Sequence, residues 1–257
     1  MAQGITFTAL QGIKHVVAGD DLAAIVLAGL QRTSLQPRSG DVLVVAQKIV
    51  SKSEGRTVDL ASVTPSPRAL ELAQIVRKDA RLVELVLSES TDVLRAIPNV
   101  LIVRHRLGYV MANAGIDHSN VEGGQGNDGE RVLLLPLDAD ASAAALRDRL
   151  NAVLGCQIGV IVSDSFGRPW RNGVVNVALG AAGLPALIDR RGEQDMFGRT
   201  LEMTQVAFAD AIAAGAGLAM GEGAEGTPLV LAQGLVWQAP QCNVQSLIRP
   251  LGEDLFK

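Results

Sequence analysis

Apolar positions along the chain fall into short blocks separated by glycine, proline and polar clusters. Ile5–Leu10 alternates weakly between apolar and polar side chains, which predicts a strand. Asp20 stands where a helix cap belongs, ahead of DLAAIVLAGLQR, in which Leu22, Ile25, Val26 and Leu30 make one apolar face. Pro37 and Gly40 close a loop before Asp41–Ala46, a buried strand. Residues 66–90 hold two helical segments, PRALELAQIVRKD and RLVELVLSES, and Leu101–Val103 with Gly108–Met111 predict a pair of strands around a turn. The polar, glycine-rich run Val121–Glu130 is expected to be a mobile loop. Asp138–Val153 reads as a helix, Ile158–Val162 as a buried strand, and Val174–Ile188 as short apolar runs split by glycines. An Ala-rich helix over Thr204–Met220 and a strand over Leu229–Ala232 follow. Strands and helices mix without regular alternation, which predicts an α+β fold on a mixed sheet more than a doubly wound parallel one. With no internal repeat and no clean linker, residues 1–257 read as a single module, wide enough for two interlocked subdomains.

Composition narrows the function classes. Apolar residues make up 48% and charged residues 19%, the balance of a packed globular protein. Only 3% are aromatic, too few rings for stacking on single-stranded nucleic acid. The net charge of −4 and the lack of a basic stripe argue against any nucleic-acid partner. The two cysteines, Cys156 and Cys242, are far apart and form no C-x-x-C pair, so a reducing cytoplasm is the expected setting. The opening MAQGITFTAL predicts no signal peptide, and no window is apolar enough to predict a membrane span.

Four stretches carry candidate chemistry. Gly221-Glu222-Gly223-Ala224-Glu225-Gly226 fits G-x-G-x-x-G, the dinucleotide-binding fingerprint. That fingerprint follows a strand and opens a helix; here a helical pattern precedes and a strand follows, so Gly221 sits where a helix C-cap glycine belongs. A flexible helix-to-strand connection explains the glycines equally well. A third reading has the backbone approach a phosphate, with Glu222 and Glu225 holding a metal. Lys48, Ser51 and Lys52 follow the buried strand ending at Ala46, where either a phosphate contact or a plain solvated edge fits. In NAGIDHSN, Asp117 suits a hard cation and Asn120 a purine or phosphate, while an Asx-rich turn is the plainer alternative. His118, with no second His nearby, is a poor zinc signal. In SDSFGRPWRNG an aliphatic strand ends abruptly in Asp164-Ser165, oxygen ligands suited to Mg²⁺ or Mn²⁺. Arg168 and Arg171 follow as forks for carboxylate or phosphate; the plainer reading is a capped turn with surface arginines. There is no G-x-x-x-x-G-K-[ST] loop and no G-x-S-x-G elbow.

Taken in order, GDVLVVAQKIVSKSEGR, NAGIDHSNV, GVIVSDSFGRPWRNG and MGEGAEGTP resemble the coenzyme F420-0:L-glutamate ligase family over nearly the whole chain. The resemblance implies a GTP-dependent acid–amino-acid ligase of coenzyme F420 biosynthesis. It would join L-glutamate to the lactyl carboxylate of F420-0 through an acyl phosphate and then add γ-linked glutamates. It also implies two divalent cations, Mg²⁺ or Mn²⁺, with K⁺ as a further candidate, and a large mixed sheet with flanking helices in an intertwined homodimer. Carried over by position, Asp117 and Asp164 resemble the ligands of one metal, and Ser165 and Glu222 those of the second. Asn120 resembles the GTP-contacting asparagine and Lys52 the phosphate-contacting lysine, with Gln47 and Lys48 beside it. Met220–Thr227, including Gly221, Gly223, Ala224, Glu225 and Gly226, resembles the nucleotide loop. Ile13, Lys14, His15 and Val16 fall where guanine or ribose is contacted, although the sequence there departs from the common proline-containing pattern. Arg168 and Arg171 are expected to hold substrate carboxylate or phosphate. Two other classes compete: a nucleotide- or deazaflavin-dependent oxidoreductase, prompted by the glycine motif, and a non-catalytic GTP- or metal-binding module.

Overall fold

A computed structural model of the protein describes residues 4–118 and 130–254. In chain order these form β1 (Thr6–Ala9), α1 (Leu22–Arg32), β2 (Val42–Ala46), α2 (Gln47–Ser53), β3 (Thr57–Asp59), α3 (Pro67–Val76), α4 (Ala80–Ser88) and β4 (Ser90–Ile97). There follow β5 (Val100–His105), β6 (Val110–Ala112), β7 (Arg131–Leu133), α5 (Ala139–Leu154), β8 (Gly159–Arg168), β9 (Arg171–Ala182), β10 (Leu187–Asp189), β11 (Gln205–Ala207), α6 (Phe208–Met220) and β12 (Leu229–Gln233). Two compact units divide the chain. The first takes residues 1–16, 20–50 and 138–247, and the second takes 17–19, 51–137 and 248–257. The architecture is mixed α+β, as the irregular order of apolar blocks predicts.

The first unit is built on a five-stranded sheet in the order β1-β12-β2-β8-β9. Only β2 and β8 run parallel; every other neighbouring pair in this sheet is antiparallel. The central strands are continuous aliphatic runs, VLVVA in β2 and LVLA in β12, because both of their faces are covered. Helices α5 and α6 are tied to the edge strand β9 by carboxylates in their first turns. Asp140 Oδ1 accepts from the N–H groups of Ala181 (2.8 Å) and Val244 (3.1 Å), and Asp210 Oδ1 from Ala178 (2.9 Å). Burial raises both carboxyls above the ordinary value, and these backbone donors offset only part of that rise.

The second unit packs α3 and α4 against the antiparallel sheet β4-β5-β6 and the ladder β3-β7, around Leu60, Leu72, Val83, Leu101 and Val132. Ser66 and Asp79 cap the two helices, each accepting from a backbone N–H of the first turn. Beside this apolar core lies a half-buried ion cluster. Arg56 Nη2 donates to both oxygens of Glu89 at 3.0 Å, and Arg106 Nε to Oε2 at 3.2 Å. Arg56 Nε also donates to the Leu135 carbonyl at 2.9 Å. His105 is fully buried, and its Nδ1 accepts from the Leu107 N–H, so Nε2 carries the proton and faces Glu89 at 3.5 Å. Burial alone would raise the Glu89 carboxyl. The nearby imidazole of His105, the hydrogen bonds from Arg56 and the charges of Arg56 and Arg106 outweigh it and hold the group at about 2.

Several expectations are corrected. The cap of α1 is Asp21, whose Oδ1 accepts from the Ala24 N–H; Asp20 pairs instead with Lys14 at 3.0 Å. Residues 47–53 are a helix rather than a solvated edge, with Gln47 and Ser51 buried. The second helical segment stops at Ser88, and β4 begins at Ser90, because cross-strand pairing with β5 competes for those residues. Strand β8 does not end at Asp164 but runs on to Arg168, and the runs split by glycines are mostly one strand, β9. Helix α6 starts at Phe208, since Gln205–Ala207 pair with β10. The segment expected to be mobile, Val121–Glu130, lies outside the described residues except for Glu130. Among the described residues no helix is long and apolar enough to cross a membrane.

The Glu89 cluster gives a test with a defined sign. The folded carboxyl lies below the ordinary value of 4.5, so its stabilisation is complete above about pH 5 and disappears as pH falls toward 2. Replacing Glu89 by Ala leaves the half-buried Arg56 without its carboxylate and should cost about 1–2 kcal/mol at neutral pH, after discounting for solvent screening, measured by urea unfolding. The gap between Glu89→Gln and the natural protein should close as pH is lowered through this window.

Candidate functional site

Asp164 and Ser165 are consecutive on β8, and successive residues of a strand face opposite sides of its sheet. The β8–β9 register pairs Asp164 with Val177 and Ser165 with Asn176. Directly opposed residues share a face, so Ser165 and Asn176 lie side by side. The end of α6 covers this same face: the buried Ser163 hydroxyl, two residues before Ser165, lies 4.0 Å from Met220 Sδ. Asn176 is 8% exposed, and its Nδ2–H donates to Glu222 Oε1 at 2.9 Å. Two of the predicted metal ligands, Ser165 and Glu222, are thus joined through a residue on the strand between them. Asp164 faces the other side and is half-buried.

The loop after α6 is ordered by its own groups. Gly221 ends the helix with φ +72, a conformation that disfavours a side chain, and its N–H donates to Gly217 O at 3.1 Å. Thr227 Oγ1 donates to the Met220 carbonyl at 2.7 Å, capping the same helix end. Glu225 turns back so that its Oε2 accepts from the Gly223 N–H at 2.8 Å. Glu222 and Glu225 therefore part company: one braces the loop, and the other reaches the sheet. Gly223, Ala224 and Gly226 are exposed, whereas the Met220 side chain is core.

The other candidates divide. Val16 is buried, and Ile13 packs on α1 at Gly29, so of residues 13–16 only Lys14 and His15 offer exposed side chains. Lys14 is paired with Asp20. Gln47 is buried at the start of α2, and Lys48 and Lys52 are half-buried at i,i+4 spacing on one face of that helix. Arg168 and Arg171 pair across the tip of the β8–β9 hairpin, fully on its exposed part. At about 3.4 Å per residue, Arg168 stands roughly 13 Å along the strand from Asp164. In the first unit, then, the arginines are not gathered with Ser165 and Glu222.

In the second unit, Asp117 and the segment following Lys52 meet on β7. Leu133 exchanges both backbone hydrogen bonds with Asp117 (2.9 and 3.0 Å) and pairs on its other side with Thr57. Arg56, between Lys52 and Thr57, accepts from the Leu134 N–H at 3.1 Å. Asn120 lies outside the described residues. Among the described residues no three His, Cys, Asp or Glu side chains gather into a metal cage. The donor set nevertheless fits a hard cation. One carboxylate and one hydroxyl on a shared face match the sparse protein ligation of Mg²⁺, whose remaining positions go to water and substrate phosphates.

Asn176 escaped the sequence reading, although a signal was present: it is the one polar side chain in VVNVALGAA. Gly217 gave no signal, because an Ala-rich helix hides a spacing requirement.

The family model described as F420-0:Gamma-glutamyl ligase matches residues 12–234. The chain is 41% identical over 256 residues to a protein named Coenzyme F420:L-glutamate ligase from Methanothermobacter thermautotrophicus, covering 99% of both chains. A protein of the same name from Methanopyrus kandleri is 42% identical over 249 residues, 95% of this chain and 94% of that one. Its namesake from Archaeoglobus fulgidus is 41% identical over 248 residues, 96% and 94% respectively.

Replacing Gly221 by Ala should cost about 1 kcal/mol from the positive φ alone, read by urea unfolding. The new methyl group would also collide with the Glu225 carboxylate, so protease cleavage within 221–227 should accelerate.

Proposed function

Because the chain belongs to the F420-0:gamma-glutamyl ligase family, we propose that it ligates L-glutamate to the lactyl carboxylate of F420-0 at the expense of GTP and then adds γ-linked glutamates. The observation that carries this reading is the bond from Asn176 to Glu222, which brings a carboxylate to the sheet face of Ser165. A carboxylate and a hydroxyl so arranged suit a phosphate-bound cation better than a hydride carrier.

The reaction runs in two balanced steps. A carboxylate oxygen of F420-0 attacks the γ-phosphorus of GTP; the bond to the β-phosphate oxygen breaks, and GDP leaves. The glutamate nitrogen then attacks the acyl carbon, phosphate departs, and the amine gives up a proton as the amide forms. Ser165 and Glu222 would hold one divalent cation, and Asp164 and Asp117 are assigned to the second. When bound, such cations neutralise phosphate charge and fix in-line geometry. Lys52 and Lys48 would neutralise phosphate oxygens, with Gln47 beside them, and the glycines of 221–226 let backbone N–H groups approach the triphosphate. Asn120 and Ile13–Val16 are assigned to the nucleoside. Arg168 and Arg171 are assigned to substrate carboxylate or phosphate; since they lie at an exposed hairpin tip, that role requires the tip to meet a substrate or a second subunit. A homodimer is supported by bare apolar side chains of the first unit, with Trp170, Met196, Phe197 and Leu218 all about nine-tenths exposed.

Purified protein given F420-0, GTP and glutamate should yield glutamylated product by mass spectrometry, with one phosphate released per glutamate added. Bleaching of the deazaflavin, or nucleotide binding without turnover, would favour the oxidoreductase or the binding module instead. Asp164→Ala should lower kcat at least a hundredfold at ordinary Mg²⁺, and Lys52→Ala should raise the KM for GTP with little change in melting temperature. Sedimentation should show a dimer that Phe197→Asp weakens; a monomer at micromolar concentration would remove the dimer assignment.

A further inference from the structure

Asn176 occupies a position where a buried amide needs a reason. It interrupts the otherwise apolar run VVNVALGAA on β9 and is 8% exposed. An amide taken from water and left unbonded is destabilising, so its donor group must be used. Its partner is not another core group but Glu222, an exposed residue of the glycine-rich loop. Space for the amide is made by Gly217: a Cβ added there would collide with Asn176 Nδ2. Helix, strand and loop are thus all shaped around one hydrogen bond whose acceptor lies in the proposed catalytic loop.

We propose that Asn176 is a positioning residue for Glu222, fixing the carboxylate beside Ser165 so that one oxygen stays available for a divalent cation. This assignment rests on the reading of Glu222 and Ser165 as cation ligands. Three features favour it over plain packing. Glu222 is exposed, and a glutamate has many rotamers to lose on binding a cation. The hydrogen bond from Asn176 engages Oε1 alone, leaving Oε2 unengaged by this contact. The donor is neutral. It orients the carboxylate without cancelling the negative charge a cation needs, which a lysine or arginine in that place would do.

The test is a Mn²⁺ titration in the presence of GTP without F420-0, reading free Mn²⁺ by electron paramagnetic resonance, with circular dichroism and melting curves as folding controls. Asn176→Ala should weaken the tighter Mn²⁺ binding about tenfold or more, in the range typical of outer-shell partners of metal ligands. Asn176→Asp, of the same shape but with a carboxylate facing Glu222, should disturb the affinity further and make it more dependent on pH. Asn176→Ser keeps a donor and should retain intermediate affinity even if the alanine variant folds poorly. The decisive comparison is with Glu222→Ala. If Asn176 acts through Glu222, adding Asn176→Ala to Glu222→Ala should weaken Mn²⁺ no further. Additive losses, or Asn176 variants with natural Mn²⁺ affinity beside a weakened Glu222→Ala, would overturn the positioning role and leave the cation reading standing. A Glu222→Ala protein with natural Mn²⁺ affinity would overturn both.

Discussion

Helix α6 reaches the sheet of the first unit at residue 217, where only a hydrogen separates the helix backbone from the Asn176 amide. That close approach seats the end of α6 over the face that carries Ser163, Ser165 and Asn176. The chain must leave the helix there, and Gly221 makes the turn in a backbone conformation that suits glycine. Glu222, though exposed, is consequently brought within hydrogen-bond reach of Asn176. The rest of the site follows from this contact, which ties the loop braced by Glu225 and Thr227 to the sheet. A packed interior tolerates no intermediate arrangement: a methyl group at 217 would have to displace the amide, the helix or both.

The second unit is organised differently. Its apolar core lies beside a charged cluster in which one carboxylate, Glu89, gathers Arg56, Arg106 and the imidazole of His105. Arg56 spans from this cluster to the Leu135 carbonyl and so fixes the residues following α2 against β7. Since β7 also bridges to Asp117, the chain segment after Lys52 and the backbone of Asp117 share one ladder. The segment that follows Lys52 and the backbone of Asp117 are therefore held by the same short strand, within the same unit.

The sequence was legible where a pattern is local. The continuous aliphatic runs gave β2, β8 and β12, the apolar face of residues 22–30 gave α1, and the glycine after Met220 gave the end of α6. It was misleading where pairing partners far along the chain decide the outcome. SDSFGRPWRNG looks like a turn because glycine and proline punctuate it, yet cross-strand bonds to Arg171–Val177 carry β8 through Arg168. The residues after Ser88 look helical until β5 claims them. Gln47–Ser53 forms a helix directly on the end of β2, with buried polar residues that no apolar periodicity announces. Of the candidate site, the pairing of Ser165 with Glu222 was legible only through resemblance. Asn176 and Gly217, which physically join them, depend on contacts across 46 residues and 41 residues of chain, beyond the reach of local pattern.

In the proposed reaction a carboxylate of F420-0 becomes an acyl phosphate before glutamate attacks. Atom balance makes this visible: one carboxylate oxygen must leave with the phosphate. The direct measurement is ligation of F420-0 labelled with oxygen-18 in its lactyl carboxylate, followed by phosphorus NMR of the released phosphate. One labelled oxygen is expected in the phosphate released with the first glutamate, and none in phosphate from later additions, where an unlabelled γ-carboxylate is activated. Product carrying a single glutamate, formed with phosphate that holds no label at all, would contradict it.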